Sequence, residues 1–350
     1  MTVNTSQKQL MTMILKHKYV VGCHVMFYEI EMLWEYVDSI IEAVRKVDNP
    51  QNVAVQFCWN TQQYLETIDE EKLSADMLLS KFAIQMSRLR AAGCSVFVTY
   101  KTDDNPFYNI AQYRRDLNHE WCDMVDFVLW GETDSLFPVE TFDIIESVSE
   151  YASKHDIHRY VISFADRKNW DASWDIITHP KYEDVQYVDD KDWLINNEAS
   201  SKSYMTRERM NEINSESDSY DIRRLPYPKF DGACLVISSD LIRMGVNIPH
   251  ALLHCGEDTS FGEMAYKLMG DRFTQFVIKN ILRVHNRRHP RKRNYIKGED
   301  NPMGFVGMEK GPWWDILEQS SKHNLSLLGA RQDRFITMDE LMRKIREVRR

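Results

Sequence analysis

The sequence has no apolar run of the roughly 18 residues that a membrane-spanning helix needs, which argues against an integral membrane protein. Its first residues, Met1 to Leu10, are polar and lack the apolar segment of a secretory leader, so a cytoplasmic location is expected. Cysteine is sparse: Cys23, Cys58, Cys94, Cys122, Cys234 and Cys255 are the whole set, and no two form a Cys-x-x-Cys pair. A structural zinc site is therefore not expected, and buried, reduced thiols are. There is no internal repeat and no low-complexity tract, which sets aside solenoids and compositional tails.

What is present suits a soluble globular enzyme or binding protein. Hydrophobic residues are 43% of 350 and charged residues 28%, enough for one large α/β domain with additions or two small domains. The formal net charge is −9, which disfavours polyanions on average. The distribution is uneven, however. Arg283, Arg287, Arg288, Arg291, Lys292, Arg293 and Lys297 crowd into one short stretch, while acidic residues gather between Glu183 and Asp221.

The hydrophobic pattern alternates between strand and helix periods. Strands are expected at Tyr19–Tyr28, Val53–Trp59, Ser95–Tyr100, Phe127–Trp130 and Tyr160–Phe164. Helices are expected between them, at about Ile30–Val47, Glu70–Ala92, Asn109–Trp121 and Val139–Lys154. In the second of these, Met77, Phe82, Ile84 and Leu89 supply the apolar positions, and Gly93 suits the residue after the helix end. This order implies a mostly parallel sheet flanked by helices, with ligands beyond the carboxyl ends of its strands. Residues 181–223 lose periodicity and read as a polar insertion or lid. Order returns with a strand at Ala233–Ile237 and a helix at Thr259–Leu268, closed by Gly270, whose buried face is Phe261, Met264, Ala265 and Leu268. A further strand falls within Phe273–Val284, and a final helix is opened by Thr337 with Glu340, the spacing of a capping box.

Three motifs can carry chemistry. After the fourth strand comes Gly131-Glu132-Thr133-Asp134-Ser135, two carboxylates at the mouth of a sheet, a pattern able to hold a hard divalent cation and through it phosphate oxygens. The plain alternative is a solvated turn in which Asp134 or Ser135 caps a helix. Gly256-Glu257-Asp258 opens an amphipathic helix; alone it reads as a cap, and functionally as a general base. Arg283-Val284-His285-Asn286-Arg287-Arg288-His289 closes a strand and offers an imidazole ligand with phosphate-clamping arginines, against the plain reading of a basic solvated loop. Trp170 and Trp174 offer aromatic faces for a sugar or base, with interior packing the alternative.

The order of these motifs, with Phe230-Asp231-Gly232-Ala233 between them, resembles the GT-A superfamily of glycosyltransferases, especially its inverting family-two-like branch, over about Tyr19 to His289. The resemblance implies a GT-A, Rossmann-like α/β domain over residues 1–290 and a basic loop with a helical extension over 291–350. It implies Mn²⁺ or Mg²⁺ held by Asp134, Glu132 and His285, and a catalytic base at Asp258 with Glu257 as neighbour. A nucleotide-sugar donor, with a UDP-sugar expected, would meet Tyr28, Asn60, Arg115 and Gly131; Arg114 and Asp116 lie beside that region. The chain departs from the family pattern at Phe27-Tyr28-Glu29, where an Asn-Glu pair is usual, and at Asn60, where an Asp usually meets the base.

The acceptor stays open. Trp170, Trp174, Arg287, Arg288, Arg291 and Lys292 are candidates for acceptor or phosphate contacts, and the basic run motivates double-stranded DNA with a hydroxymethylated base, as in enzymes of large bacterial viruses. A glycan or lipid-linked acceptor competes with it. Rival classes are a nucleotidyltransferase, which joins the same kind of sheet to acidic metal ligands, and a non-catalytic nucleotide- or polymer-binding module.

Overall fold

The computed structural model describes residues 17–61, 68–101, 108–166, 172–181, 204–225, 227–286, 289–295, 312–328 and 336–349. Ten strands occur in them: β1 (Tyr19–Met26), β2 (Val53–Asn60), β3 (Ser95–Lys101), β4 (Phe127–Gly131), β5 (Ser135–Leu136), β6 (Tyr160–Ala165), β7 (Ile222–Leu225), β8 (Leu235–Ser238), β9 (Thr274–Leu282) and β10 (Val284–His285). Eight form one sheet in the order β3-β2-β1-β4-β8-β6-β9-β7, and β5 pairs separately with β10. β1, β2, β3, β4, β6 and β9 run one way, while β8 and β7 run against their neighbours. The mostly parallel α/β sheet expected from the alternation is what forms.

The strands in the middle are apolar throughout because both faces are covered: β2, β4 and β6 are buried along their whole length. The helices are α1 (Leu33–Val44), α2 (Ala75–Ala91), α3 (Ile110–Trp121), α4 (Thr141–Lys154), α5 (Arg207–Asn214), α6 (Ser239–Arg243), α7 (Glu257–Met269), α8 (Pro312–Leu327) and α9 (Met338–Arg349). On one face, Leu33, Val37 and Ile40 of α1 and Phe82 and Leu89 of α2 share a core with Val21 and Phe57. On the other, Tyr113 and Leu117 of α3 and Phe261 of α7 meet Val20, Val128 and Trp130. The six cysteines carry free thiols; Cys255 is half-buried and the others are buried.

Local signals hold at several ends. Asn109 caps α3 through Ala111 and Gln112, and Gln112 returns the bond to Asn109. Gly93 ends α2 in the left-handed region, φ 95°. Thr337 and Glu340 form the reciprocal capping box of α9, with both bonds at 3.2 Å.

Two apolar faces are corrected. Met77 and Ile84 are each 50% exposed, because the buried stripe of α2 runs Leu78, Phe82, Met86, Leu89, one turn apart. In α7, Leu268 faces solvent and Met269 completes the stripe begun by Phe261 and Ala265. The segment read as a polar insertion also contains ordered structure. α5 buries Met210 and Ile213, and the Asn214 amide pairs with both backbone groups of Leu282, at 3.0 and 2.7 Å, extending the edge of β9. Residues 182–203 of that segment lie outside the described residues. The helical extension packs as a hairpin: Leu317 of α8 and Leu341 and Ile345 of α9 bury Leu253. Asn324 pins the hairpin, donating to Ala251 O at 2.7 Å and to Ile336 O at 2.8 Å. Among the described residues no helix is long and apolar enough to cross a membrane.

These faces predict a contrast within α2. Phe82→Ala should lose about 3–5 kcal/mol of stability, whereas Met77→Ala and Ile84→Ala should each stay within about 0.5 kcal/mol, as read from urea unfolding midpoints.

Candidate active site

β4 carries its apolar run as far as Gly131, then turns sharply: the Ser135 N–H donates to Glu132 O at 2.9 Å. A Cβ on Gly131 would stand 1.9 Å from the Tyr36 hydroxyl, so the turn lies against α1 only because this residue is glycine. The turn leads into β5 rather than a helix, which removes the capping alternative for Asp134 and Ser135. β10 then pairs antiparallel to β5, with His285 opposite Ser135, and the Asn286 N–H donates to Asp134 O at 2.6 Å.

That ribbon brings residues about 150 positions apart to one point. His285 Nε2 lies 3.0 Å from Glu132 Oε2 and 3.3 Å from Asp134 Oδ1. One ligand atom from each of Glu132, Asp134 and His285 falls within 4.8 Å of the others, a spacing that can hold a metal ion. On the far side of the ring, Asp231 Oδ2 lies 3.6 Å from His285 Nδ1, the side from which a carboxylate orients a ligating imidazole. Asp231 is held in turn by Arg283 at 2.8 Å, and Arg283 also meets the fully buried Asp166 at 2.6 Å.

A second arm reaches the site from α3. Arg114, 1% exposed, donates through Nη2 to Glu132 Oε1 at 2.6 Å and to Gly232 O at 3.0 Å, and through Nη1 to Glu257 Oε1 at 2.6 Å. Its guanidinium lies over the Trp130 ring, 4.8 Å from the centroid. A Cβ on Gly232 would sit 2.1 Å from Arg114 Nη1, so glycine is what lets the guanidinium in. Glu257 and Asp258 occupy the first turn of α7, which starts from Gly256 in the left-handed region, φ 80°. Asp258 Oδ2 accepts from the Gly232 N–H at 3.2 Å and Oδ1 from the Thr259 N–H at 2.6 Å. Glu257 and Asp258 thus serve the helix end and face the arginine that holds Glu132.

The carboxyls diverge electrostatically. Burial would raise Glu132, but His285 and Arg114 outweigh it and hold that group at about 2. Burial and the neighbouring Asp258 push Glu257 to about 7 against the pull of Arg114. Burial also lifts Asp258, with Arg114 opposing and Asp231 adding to the rise. Glu29, at the end of β1, is driven by burial to about 7; Lys292 works against the shift and Asp134 with it.

Other expected site residues sit elsewhere. Arg115 points away from the site: Nε donates to Ile248 O at 2.8 Å, and Nη2 to Pro249 O at 2.8 Å and Leu252 O at 3.2 Å. One helical step of about 100° separates it from Arg114, which takes the position in the site. Asn60 is fully buried, donates to Tyr108 O at 2.8 Å and lies 3.1 Å from His24 Nε2, so its amide is engaged inside the fold. Asp116 accepts from the Tyr108 hydroxyl at 2.7 Å. Tyr28 is half-buried and packs edge-on against Phe27. Trp174 packs beside Ile177, Leu225 and Val277 under Lys229, the interior alternative. Arg291 is exposed. Lys292 turns inward, its Nζ 3.4 Å from Asp134 Oδ2. Trp170, Arg287 and Arg288 lie outside the described residues. Of the described side chains in the basic run, Arg283 and Lys292 are turned into carboxylates and Arg291 is exposed.

Sequence reasoning did not single out Asp231, Glu29 or the pairing role of Arg114. The signal for Asp231 was the Asp-Gly pair before a strand. Glu29 was visible only as a carboxylate following a buried strand.

No family model matches the chain, and comparison with curated proteins finds no match. Solved structures similar to it include S. aureus TarS, at 13% identity over 92% of this chain and 76% of that one, with a TM-score of 0.40. Glucosyl-3-phosphoglycerate synthase from Mycobacterium tuberculosis, in complex with Mn²⁺, uridine diphosphate and phosphoglyceric acid, is 12% identical over 91% of this chain and 80% of that one, TM-score 0.42. The same enzyme with Mg²⁺ and uridine diphosphate covers 81% and 76% at 11% identity, TM-score 0.38.

Two measurements check the electrostatics. Burial, then His254 and Arg114, depress His24 from 6.5 to about 3. Its contribution is present above 6.5 and is lost as pH falls toward 3, because the unfolded chain takes a proton that the fold refuses. His24→Gln should flatten the acid side of the stability curve by about 1.4 kcal/mol per pH unit in that window, as read from chemical unfolding at a series of pH values. Arg114→Met should cost about 3–5 kcal/mol by stranding two carboxylates, visible as a fall in thermal midpoint.

Proposed function

We propose that this chain is a metal-dependent glycosyltransferase that moves a sugar from a nucleotide-sugar donor, a UDP-sugar by preference, to an acceptor hydroxyl. One observation carries the reading: Glu132, Asp134 and His285 present their ligand atoms to a single point, within 4.8 Å of one another, at the mouth of the sheet. Two carboxylates and one imidazole fit a hard divalent ion, and the nitrogen donor favours Mn²⁺ over Mg²⁺. When bound, that ion supplies Lewis-acid stabilisation of the departing diphosphate.

The chain's own groups do the rest. Arg114 holds Glu132 in place, and Asp231 orients the His285 ring. Asp258 is the base: burial raises its proton affinity, and its bonds to Gly232 and Thr259 fix the carboxylate. The acceptor oxygen forms the new bond to the anomeric carbon, the bond from that carbon to the diphosphate oxygen breaks, and the acceptor proton passes to Asp258. Glu257 keeps Arg114 between the two halves of the site.

A glycan-type or lipid-linked hydroxyl suits this site better than duplex DNA. Carboxylates outnumber cations around the trio, and Lys292, one of the basic residues that motivated DNA, is already paired with Asp134. The nucleotidyltransferase reading differs in its products, since it releases pyrophosphate where the proposed reaction releases a nucleoside diphosphate.

The test is a thermal-shift screen of nucleotide sugars with and without Mn²⁺, followed by product analysis. Asp134→Ala should abolish Mn²⁺-dependent stabilisation by the donor. Asp258→Asn should keep that stabilisation and lower turnover about 10²–10⁴-fold. Near-full turnover in Asp258→Asn, or release of pyrophosphate, would remove the proposal.

A further inference from the structure

Each carboxylate of the trio faces a cation of the chain, and the two cations differ in kind. Glu132 meets Arg114, whose planar fork is fixed by Glu257 and Gly232 as well and cannot leave without stranding them. Asp134 meets Lys292, whose Nζ lies 3.4 Å from Oδ2 and 3.8 Å from Glu29 Oε1. An ammonium on a flexible four-carbon stem is a point charge that can change partners. Its base is anchored. Lys292 belongs to the short turn Pro290–Arg293 opened by His289, whose Nδ1 accepts from the Arg291 N–H at 3.1 Å. Buried His289 meets Glu35 of α1 at 3.3 Å, so the turn is pinned from the α1 side while the lysine side chain crosses toward the trio.

A divalent ion on Asp134 and the ammonium of Lys292 are like charges contending for one carboxylate. Glu29 offers the ammonium a second anion, but that carboxyl is half-buried and already accepts from the Met26 N–H at 3.1 Å. A donor diphosphate beside the trio would bring the missing counter-charge. We infer that Lys292 is a tethered cation that competes with the divalent ion for Asp134 and transfers to the donor diphosphate, so that metal and nucleotide bind cooperatively. This rests on the metal site proposed above. It goes beyond that reading by giving the site an internal competitor and the two ligands a coupling, which must be reciprocal.

The experiment is Mn²⁺ binding to the full chain, read by electron paramagnetic resonance of free Mn²⁺, with and without UDP and corrected for Mn²⁺–UDP in solution. In the wild type, UDP should tighten Mn²⁺ binding. In Lys292→Met, and equally in Lys292→Gln, Mn²⁺ alone should bind about tenfold more tightly and the effect of UDP should shrink by a similar factor. Lys292→Arg keeps the charge and should keep the coupling. Equal Mn²⁺ affinity in wild type and both neutral variants, or undiminished coupling by UDP, would overturn the inference while leaving the metal site standing. If neither wild type nor variants bind Mn²⁺, the metal site itself falls and the competition with it.

Discussion

The buried guanidinium of Arg114 is the constraint on which the site depends. It touches the turn after β4, the segment before β8 and the first turn of α7 at once, through Glu132, Gly232 and Glu257. A charge buried this deeply needs compensation, and here two carboxylates and a carbonyl engage the two Nη groups while Trp130 covers the face. The carboxylates are equally in need of it, since each is drawn out of water by the same packing. Two consequences follow from the geometry: Gly232 has no room for a side chain, and one planar group bridges the turn after β4 and the start of α7.

Charge imbalance gives the site its chemical direction. Among the described residues Glu29, Glu132, Asp134, Asp231, Glu257 and Asp258 gather here, with Arg114 and Arg283 paired to Glu132, Glu257 and Asp231, and with Lys292 tethered beside Asp134 and Glu29. Such a cluster favours an added divalent ion and disfavours an approaching polyanion. The same imbalance separates the carboxyls by role: Glu132, flanked by His285 and Arg114, stays ionised to low pH, while Asp258 and Glu257 are lifted by burial. Groups with ordinary pKa values in water are thereby split into one held ionised and two of raised proton affinity.

Much of this was legible along the chain. The Glu132-Thr133-Asp134 turn, the Glu257-Asp258 helix start and His285 were each found from their place after a strand or before a helix, since an apolar run ending in a polar group marks the edge of a sheet. Arg115 was chosen over Arg114 because both lie beside the same cap, and the rotation between consecutive helical residues is not fixed until α3 packs. The buried stripe of α2 shows the same limit, with Leu78 and Met86 inside where Met77 and Ile84 had been counted. Asp231 and Glu29 stand in motifs legible in the sequence, but their contacts come from distant neighbours, Arg283 with His285 and Lys292 with Asp134.

The sequence by itself determined the alternation of strand and helix, the helix ends at Asn109, Gly93 and Thr337, and the residue types able to bind a divalent ion, because these follow from local periodicity and side-chain chemistry. Only the tertiary structure decided that β10 pairs with β5 and so sets His285 beside Asp134, that Arg114 rather than Arg115 meets Glu132, and that Arg283 and Lys292 are partners of carboxylates. Those outcomes depend on strand register and helix rotation, which are set by packing between segments more than 100 residues apart and leave no local signature.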